Sequence, residues 1–287
     1  MQKLKTVTLF FILFLTTTLL GSTTYYPFLT YSTFNNSFKT KDMGVGIYGD
    51  FTSQKQNYKV GLEYKESSYE EGKFDNFQLD TTLGYERFFS NNILFDAALH
   101  ITLSDLYQAD LNQVYYLGIG YIKKQRLSFG LDNYYSIYNN YSLAKSVIQF
   151  SPYCSYFYPL SHGKYGKISF KLNYNFISSS KTNVPIDSSY HSGELALSYF
   201  KRAYEINFSY FFGKSINLVK DKAFSVYNNN EIHKNSYNLS FAYMLKPAKT
   251  IRFSYLYKCF DEYDPLLGSR KNSAKLNRFV LSANFKF

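Results

Sequence analysis

Apolar and polar residues alternate one by one along most of this chain. Near its end, Phe279, Leu281, Ala283, Phe285 and Phe287 share one parity, and Arg278, Val280, Ser282, Asn284 and Lys286 share the other. Successive side chains of a β-strand point to opposite faces, so this segment carries one apolar wall and one mostly polar wall. The same period of two marks residues 251–258, 236–245, 203–212, 167–176, 93–104, 77–86 and 58–65. A strand centred on Gly46 is glycine-rich and weaker. Another over 147–158 contains Pro152, which cannot donate to a ladder and leaves the register open. Residues 25–34 fit one more strand, with 35–42 as the first outer loop.

These segments predict an all-β chain. A soluble sandwich also alternates, but other features favour a membrane barrel. The strands run about 9–13 residues, long enough for tilted membrane spans. They follow one another with no helical stretch between them. Tyr and Phe gather toward the ends of the apolar face, as an interfacial girdle does. Connections alternate in length: 261–273, 215–232 and 178–188 are long, 159–164 is intermediate, and 246–248, 201–202, 123–125 and 90–92 are tight. The expectation is a transmembrane antiparallel up-and-down β-barrel of about fourteen strands, or twelve if the weak segments are not strands. Short turns and both termini then lie on the periplasmic side.

Residues 1–22 stand apart. Lys3 and Lys5 precede an apolar run over 6–20, and Gly21, Ser22 and Thr23 supply small residues for cleavage. The pattern predicts a secretory signal peptide cut just after residues 21 to 23, with the barrel over 23–287. The run is too short to span a membrane core of about 30 Å. No Cys follows it, so no lipoprotein anchor is expected, and no later run is apolar enough for a transmembrane helix.

Composition refines this picture without replacing it. Aromatic residues make up 21%, with Tyr 31, Phe 28 and Trp 0. Biased base composition accounts for such totals but not for their order along the chain. A mean hydropathy of −0.29 is too polar for a helical membrane protein and ordinary for a barrel. The net charge of +11 becomes +9 once Lys3 and Lys5 leave with the signal peptide. Cys154 and Cys259 fall at the outward parity of distant strands and read as small apolar fillers rather than a disulfide.

The inward parity carries the charge, which is tolerated in a wet lumen far better than in lipid. Glu63, Asp80, Glu86, Asp96 and Asp132 lie in the first half of the chain. Lys171, Arg252, Lys258, Arg278 and Lys286 lie in the second half. Chain halves become opposite walls of an up-and-down barrel, so one reading is a water-filled lumen with a transverse field. Lys59, Lys65, Glu194 and Glu205 break the segregation, and the other reading is a lumen plugged by local ion pairs. Lys214, Lys220, Lys222 and Lys234 edge the 215–232 loop, where they suit lipopolysaccharide phosphate or plain solubility; nucleic acid is not an expected partner.

Catalysis and metal binding find little support. The inward-facing run His100-x-Thr102-x-Ser104 is the nearest echo of a barrel hydrolase, whose lipid-acting sites face outward. Two distant Cys and scattered His make no metal site. No cofactor and no enzymatic activity are expected.

A signal peptide, a succession of alternating strands and a final Phe resemble the bacterial outer-membrane β-barrel proteins. The resemblance spans roughly residues 25–287 and is architectural. In that family a C-terminal aromatic residue, with apolar residues at alternate positions before it, signals to the barrel assembly machinery. Phe279, Leu281, Phe285 and Phe287 match, with Ala283 a weak member. By size and strand count the chain is similar to monomeric porins. This implies residence in the outer membrane among lipid and lipopolysaccharide, and a channel for passive passage of small hydrophilic solutes. The alternative is a non-conducting surface barrel whose outer loops bind a partner or host. A transporter of hydrophobic molecules would need an N-terminal plug, and few residues are left for one.

Overall fold

The computed structural model describes residues 22–53, 55–69, 75–105, 109–124, 126–138, 144–180, 187–226, 231–246, 249–264 and 269–287. The expected signal peptide falls almost wholly on residues 1–21, outside the described residues. Eleven strands follow in order: β1 (Ser22–Asn35), β2 (Lys39–Ser53), β3 (Gln56–Tyr69), β4 (Asp75–Phe88), β5 (Ile93–Ser104), β6 (Asn112–Lys123), β7 (Leu127–Ile137), β8 (Ser146–Pro159), β9 (Lys167–Ser179), β10 (Ser189–Lys201) and β11 (Tyr204–Gly213). Three short pieces come next, β12 (Ser215–Ile216), β13 (Val219–Lys220) and β14 (Ser225–Val226). The long strands β15 (Glu231–Lys246), β16 (Lys249–Asp264) and β17 (Ser269–Lys286) complete the chain.

Each long strand pairs antiparallel with its sequence neighbour, and β11 passes over the short pieces to pair with β15. The sheet closes between β1 and β17, in a register running from Thr24↔Lys286 to Asn35↔Lys275. Thr23 and Phe287 finish the seam by exchanging backbone hydrogen bonds of 3.2 and 2.8 Å. The result is a closed antiparallel barrel of fourteen strands, not twelve. Closure leaves no unpaired edge, which an apolar solvent requires.

The alternation sets the two faces as expected. Leu29, Val45, Leu83, Leu117, Leu172, Leu197, Phe253 and Leu281 all face outward and are exposed. Large exposed apolar side chains around a whole barrel make a lipid-facing band. Tyr pairs border it at both ends. Tyr204 and Tyr243 lie 5.2 Å apart at the end with the tight turns, and Tyr237 and Tyr257 lie 5.0 Å apart toward the other. Cys154 is exposed and Cys259 half-buried, and both are free thiols.

Two details differ from the sequence reading, and a third, the register around Pro152, is settled. The first outer connection is only residues 36–38, with Asn36 at φ 53°, because β2 begins at Lys39 rather than after Asp42. Most of 261–273 is strand, since Glu262↔Lys271 and Tyr263↔Arg270 continue the β16–β17 ladder. Pro152 lies within β8 opposite Leu131, while the β8–β9 ladder steps from Phe150↔Phe176 to Tyr153↔Asn173. A missing amide donor is absorbed by that gap.

Candidate functional site: the lumen and an inserted strap

The described part of the β11–β15 connection, residues 214–226, does not project outward. From Gly213, at φ 90°, the chain turns into the lumen and runs along the inner wall from β10 toward β3. Ile216 and Leu218 pack with Tyr138, Val147, Ile177 and Phe211 in a buried apolar cluster. Val219 and Ala223 pack with Val114, Tyr116 and Tyr134. The β13–β14 hairpin reverses through Asp221, Lys222 and Ala223, at φ 52°, 58° and 68°. Left-handed backbone costs about 1–2 kcal/mol per such residue, so the tip needs strong anchors.

It has four. Gln149 on β8 grips Val219 twice: the Val219 N–H donates to Gln149 Oε1 at 3.0 Å, and Gln149 Nε2 donates to the Val219 carbonyl at 2.8 Å. Lys220 pairs with Glu194 on β10 at 2.8 Å. Lys222 reaches both Glu86 on β4 and Asp96 on β5, at 2.7 and 2.9 Å. Phe224 lies over Gly61 and Gly84, where an added Cβ would come within 3.0 and 3.4 Å of its ring. Two neighbouring inward glycines thus leave the space that this ring fills.

This corrects the reading of residues 215–232 as an external loop edged by lysines, as far as residue 226; residues 227–230 lie outside the described residues. Lys220 and Lys222 sit inside, on lumen carboxylates, and Lys234 pairs with Asp261 at 2.7 Å. Partly buried ammonium groups are stable there because each has an anionic partner.

Beside the strap lies a cavity of about 1010 Å³. Glu63, Asp80, Asp132, Lys171, Arg252 and Arg278 line it. Glu86 and Asp96 instead anchor Lys222, and Lys59 adds a second cation to Glu86 at 3.2 Å. Lys258 is buried nearer the end with the long loops and donates to Glu231 at 2.5 Å, with Lys39 3.6 Å from the same carboxylate. Lys286 is exposed at the opposite end and does not border the cavity. Phe279 and Leu281 face outward on β17, and the Phe287 ring, 79% exposed, lies 6.0 Å from Tyr25.

Neighbouring pairs cut across the expected acidic and basic walls. Asp80 has Lys65 at 3.7 Å and His100 at 3.4 Å, and Glu205 holds Arg252 at 2.8 Å. His100 also contacts Thr82 Oγ1 at 2.8 Å and Thr102 Oγ1 at 3.3 Å. Both threonines are buried, 3% and 0% exposed.

The sequence reading did not single out Gln149, Phe224, Phe28 or Tyr48. Phe28 lies against Gly46 and Tyr48 against Gly61, each ring in the space that a Cβ would take. Two signals pointed there: glycines at inward parity on adjacent strands, and the apolar residues Ile216, Leu218, Val219, Ala223 and Phe224 in a supposed water-exposed loop.

No protein-family model matches this sequence, and no curated protein matches it. Solved structures do share its fold. The CymD monoaromatic hydrocarbon channel is 8% identical, with a TM-score of 0.52 over 93% of this chain and 88% of that one. The Acinetobacter baumannii outer membrane protein Omp33 is 8% identical, with a TM-score of 0.51 over 93% and 99%. A bacterial polysaccharide outer membrane secretin is 10% identical, with a TM-score of 0.56 over 92% and 98%. What this chain shares with them is a closed, up-and-down antiparallel β-barrel. At such identities the likeness is one of fold.

Proposed function

We propose that this chain forms an outer-membrane channel for passive passage of small hydrophilic solutes. The observation that carries the reading is the polar cavity of about 1010 Å³ beside a strap that narrows the lumen without filling it. That CymD is described as a channel fits the reading. Solutes pass by diffusion, exchanging water for wall hydrogen bonds, with no chemical step. Single-channel recording of the purified protein in planar bilayers tests this: discrete ion currents are expected. Lys171→Glu should shift selectivity toward cations, because Lys171 lines the cavity over the Tyr153 ring at 5.2 Å. Reversal potentials in a salt gradient measure the shift, and an unchanged value would remove Lys171 from the conducting path.

The second reading is a non-conducting surface barrel. The apolar packing of Ile216 and Leu218 at the long-loop end favours it. Absence of any current from folded protein would select it.

Residues 1–22 act as the export signal in this proposal, and cleavage there keeps Thr23 for its pairing with Phe287. Phe279, Leu281, Phe285 and Phe287 address the barrel assembly machinery, and lipopolysaccharide surrounds the outer rim. Deleting Phe287 should lower the surface level strongly while leaving export intact. Surface labelling and periplasmic fractionation compare the two, and equal surface labelling would remove the assembly role.

A further inference from the structure

The cavity has two unlike sides, and its charges nearly balance. Phe28, Tyr48 and Phe224 form a continuous aromatic patch: Phe28 stacks on Tyr48 with centroids 4.8 Å apart, and Phe224 meets Tyr48 edge-on at 5.3 Å. Tyr26 borders the same side of the cavity from β1. Away from them the wall carries short neutral hydrogen-bonding groups between its charges: Asn173, Asn175 and Ser209 on β9 and β11 across the barrel, and Asn238 and Ser254 on β15 and β16 nearer to β1. Asn173 Oδ1 is shielded and has no hydrogen-bond partner.

Five carboxylates, Glu63, Asp80, Asp132, Glu194 and Asp221, border the cavity. Six cations, Lys65, Lys171, Lys220, Lys222, Arg252 and Arg278, border it too. The near balance argues against strong selection for either sign of ion. Lys65–Asp80, Lys220–Glu194 and Arg252–Glu205 are already paired, as is Lys222 with Glu86 and Asp96. An ion of either sign meets like charges as well as counter-charges along this wall, whereas a neutral solute meets hydrogen-bond donors and acceptors on one side and ring surface on the other.

We propose that the cavity is a binding site for uncharged cyclic polyols, that is, small sugars in ring form. A pyranose has an apolar C–H face and a hydroxyl rim, which match an aromatic side and an Asn/Ser side at once. Aromatic faces carry negative quadrupole and attract such C–H groups, and few convergent polar groups fix the orientation of a ligand in a pocket. Phe224 belongs to the strap, so the strap completes the site as well as narrowing the lumen. The proposal rests on the channel reading above for its biological use, but binding itself does not require conduction.

The test compares methyl α-glucoside with sorbitol, which has a comparable set of hydroxyls and no ring. Both are added to the refolded barrel in detergent for saturation-transfer NMR, and to planar bilayers for current recording. The glucoside should receive saturation at its C–H protons and interrupt the ion current, and sorbitol should do neither at equal concentration. Phe224→Ala and Tyr48→Ala should each weaken the glucoside effect roughly tenfold, while Tyr48→Phe, which keeps the ring, should retain it. Current that flows but responds equally to both solutes, or to neither, sinks the sugar site and leaves the channel. No current, with saturation transfer that Phe224→Ala abolishes, sinks the channel and leaves the site. Absence of transfer to the glucoside in folded protein overturns the site outright.

Discussion

A barrel in which residues 214–230 are replaced by a short turn is expected to conduct several-fold more current than the native protein. The strap is held by wall contacts, and the wall is not held by the strap. None of the fourteen long strands loses a long-strand partner in such a variant; only Ser215↔His233 and Ile216↔Ile232 disappear from the ladder. Pore conductance rises as the narrowest cross-section widens, and removing Val219–Phe224 clears the inner faces of β3 to β8. Lys222→Glu should act in the same direction with a smaller amplitude. It places a third carboxylate against Glu86 and Asp96, where like charges repel. Breaking a fully buried pair costs roughly 3–5 kcal/mol, and the loss here is smaller because the Lys222 side chain is 32% exposed. Single-channel conductance reads the effect, and heat-modifiable gel migration confirms that the barrel is folded. A deletion variant that folds and conducts no better than the native chain would show that the narrowest point lies elsewhere.

Phe253→Arg should damage insertion into bilayers. Phe253 is 49% exposed on the outer face of β16, between Phe241 on β15 and Leu281 on β17. A cation on the lipid face costs about 2–4 kcal/mol at the bilayer midplane and less toward the rims. That is a large share of a barrel's net stability, so the folded fraction should fall steeply at intermediate urea in vesicle refolding experiments. Arg252→Glu, one residue away, faces the lumen and gives up its contact with Glu205. It should refold nearly as the native chain does, since water reaches that side. Equal refolding of Phe253→Arg and the native protein would mean that this part of β16 does not face lipid.

The barrel was legible in the sequence because a single rule, period two, is imposed by lipid on one side and water on the other. Phe279, Leu281 and Phe253 could be placed from parity alone. The strap was not legible for two physical reasons. Its tip turns on Asp221, Lys222 and Ala223 in left-handed conformation, so none of the Gly, Pro or Asn-Gly signals of a hairpin marks it. Its anchors are also remote in sequence: Lys222 meets carboxylates 126 and 136 residues earlier. A lysine on a lumen carboxylate and a lysine on an outer rim look alike in one dimension. For the same reason Glu86 and Asp96 could be assigned to the inner wall, while their role as anchors could not. The ends of β16 and β17 were misread as loop because Lys271, Arg270 and Glu262 break the apolar alternation there. Outside the lipid band a ladder persists without needing an apolar face.

The Thr23–Phe287 seam has a consequence for synthesis. The last strand made must find the first, about 250 residues back along the chain, before every strand has two partners. Until then the growing sheet keeps two open edges, and open edges cannot reside in hydrocarbon. A ribosome that stops before β17 therefore yields no smaller pore. It yields a ribbon with no stable home in the membrane and a strong tendency to pair with its own copies. Premature stops before β17 should thus behave alike: each abolishes the product, and none produces a partial channel that leaks.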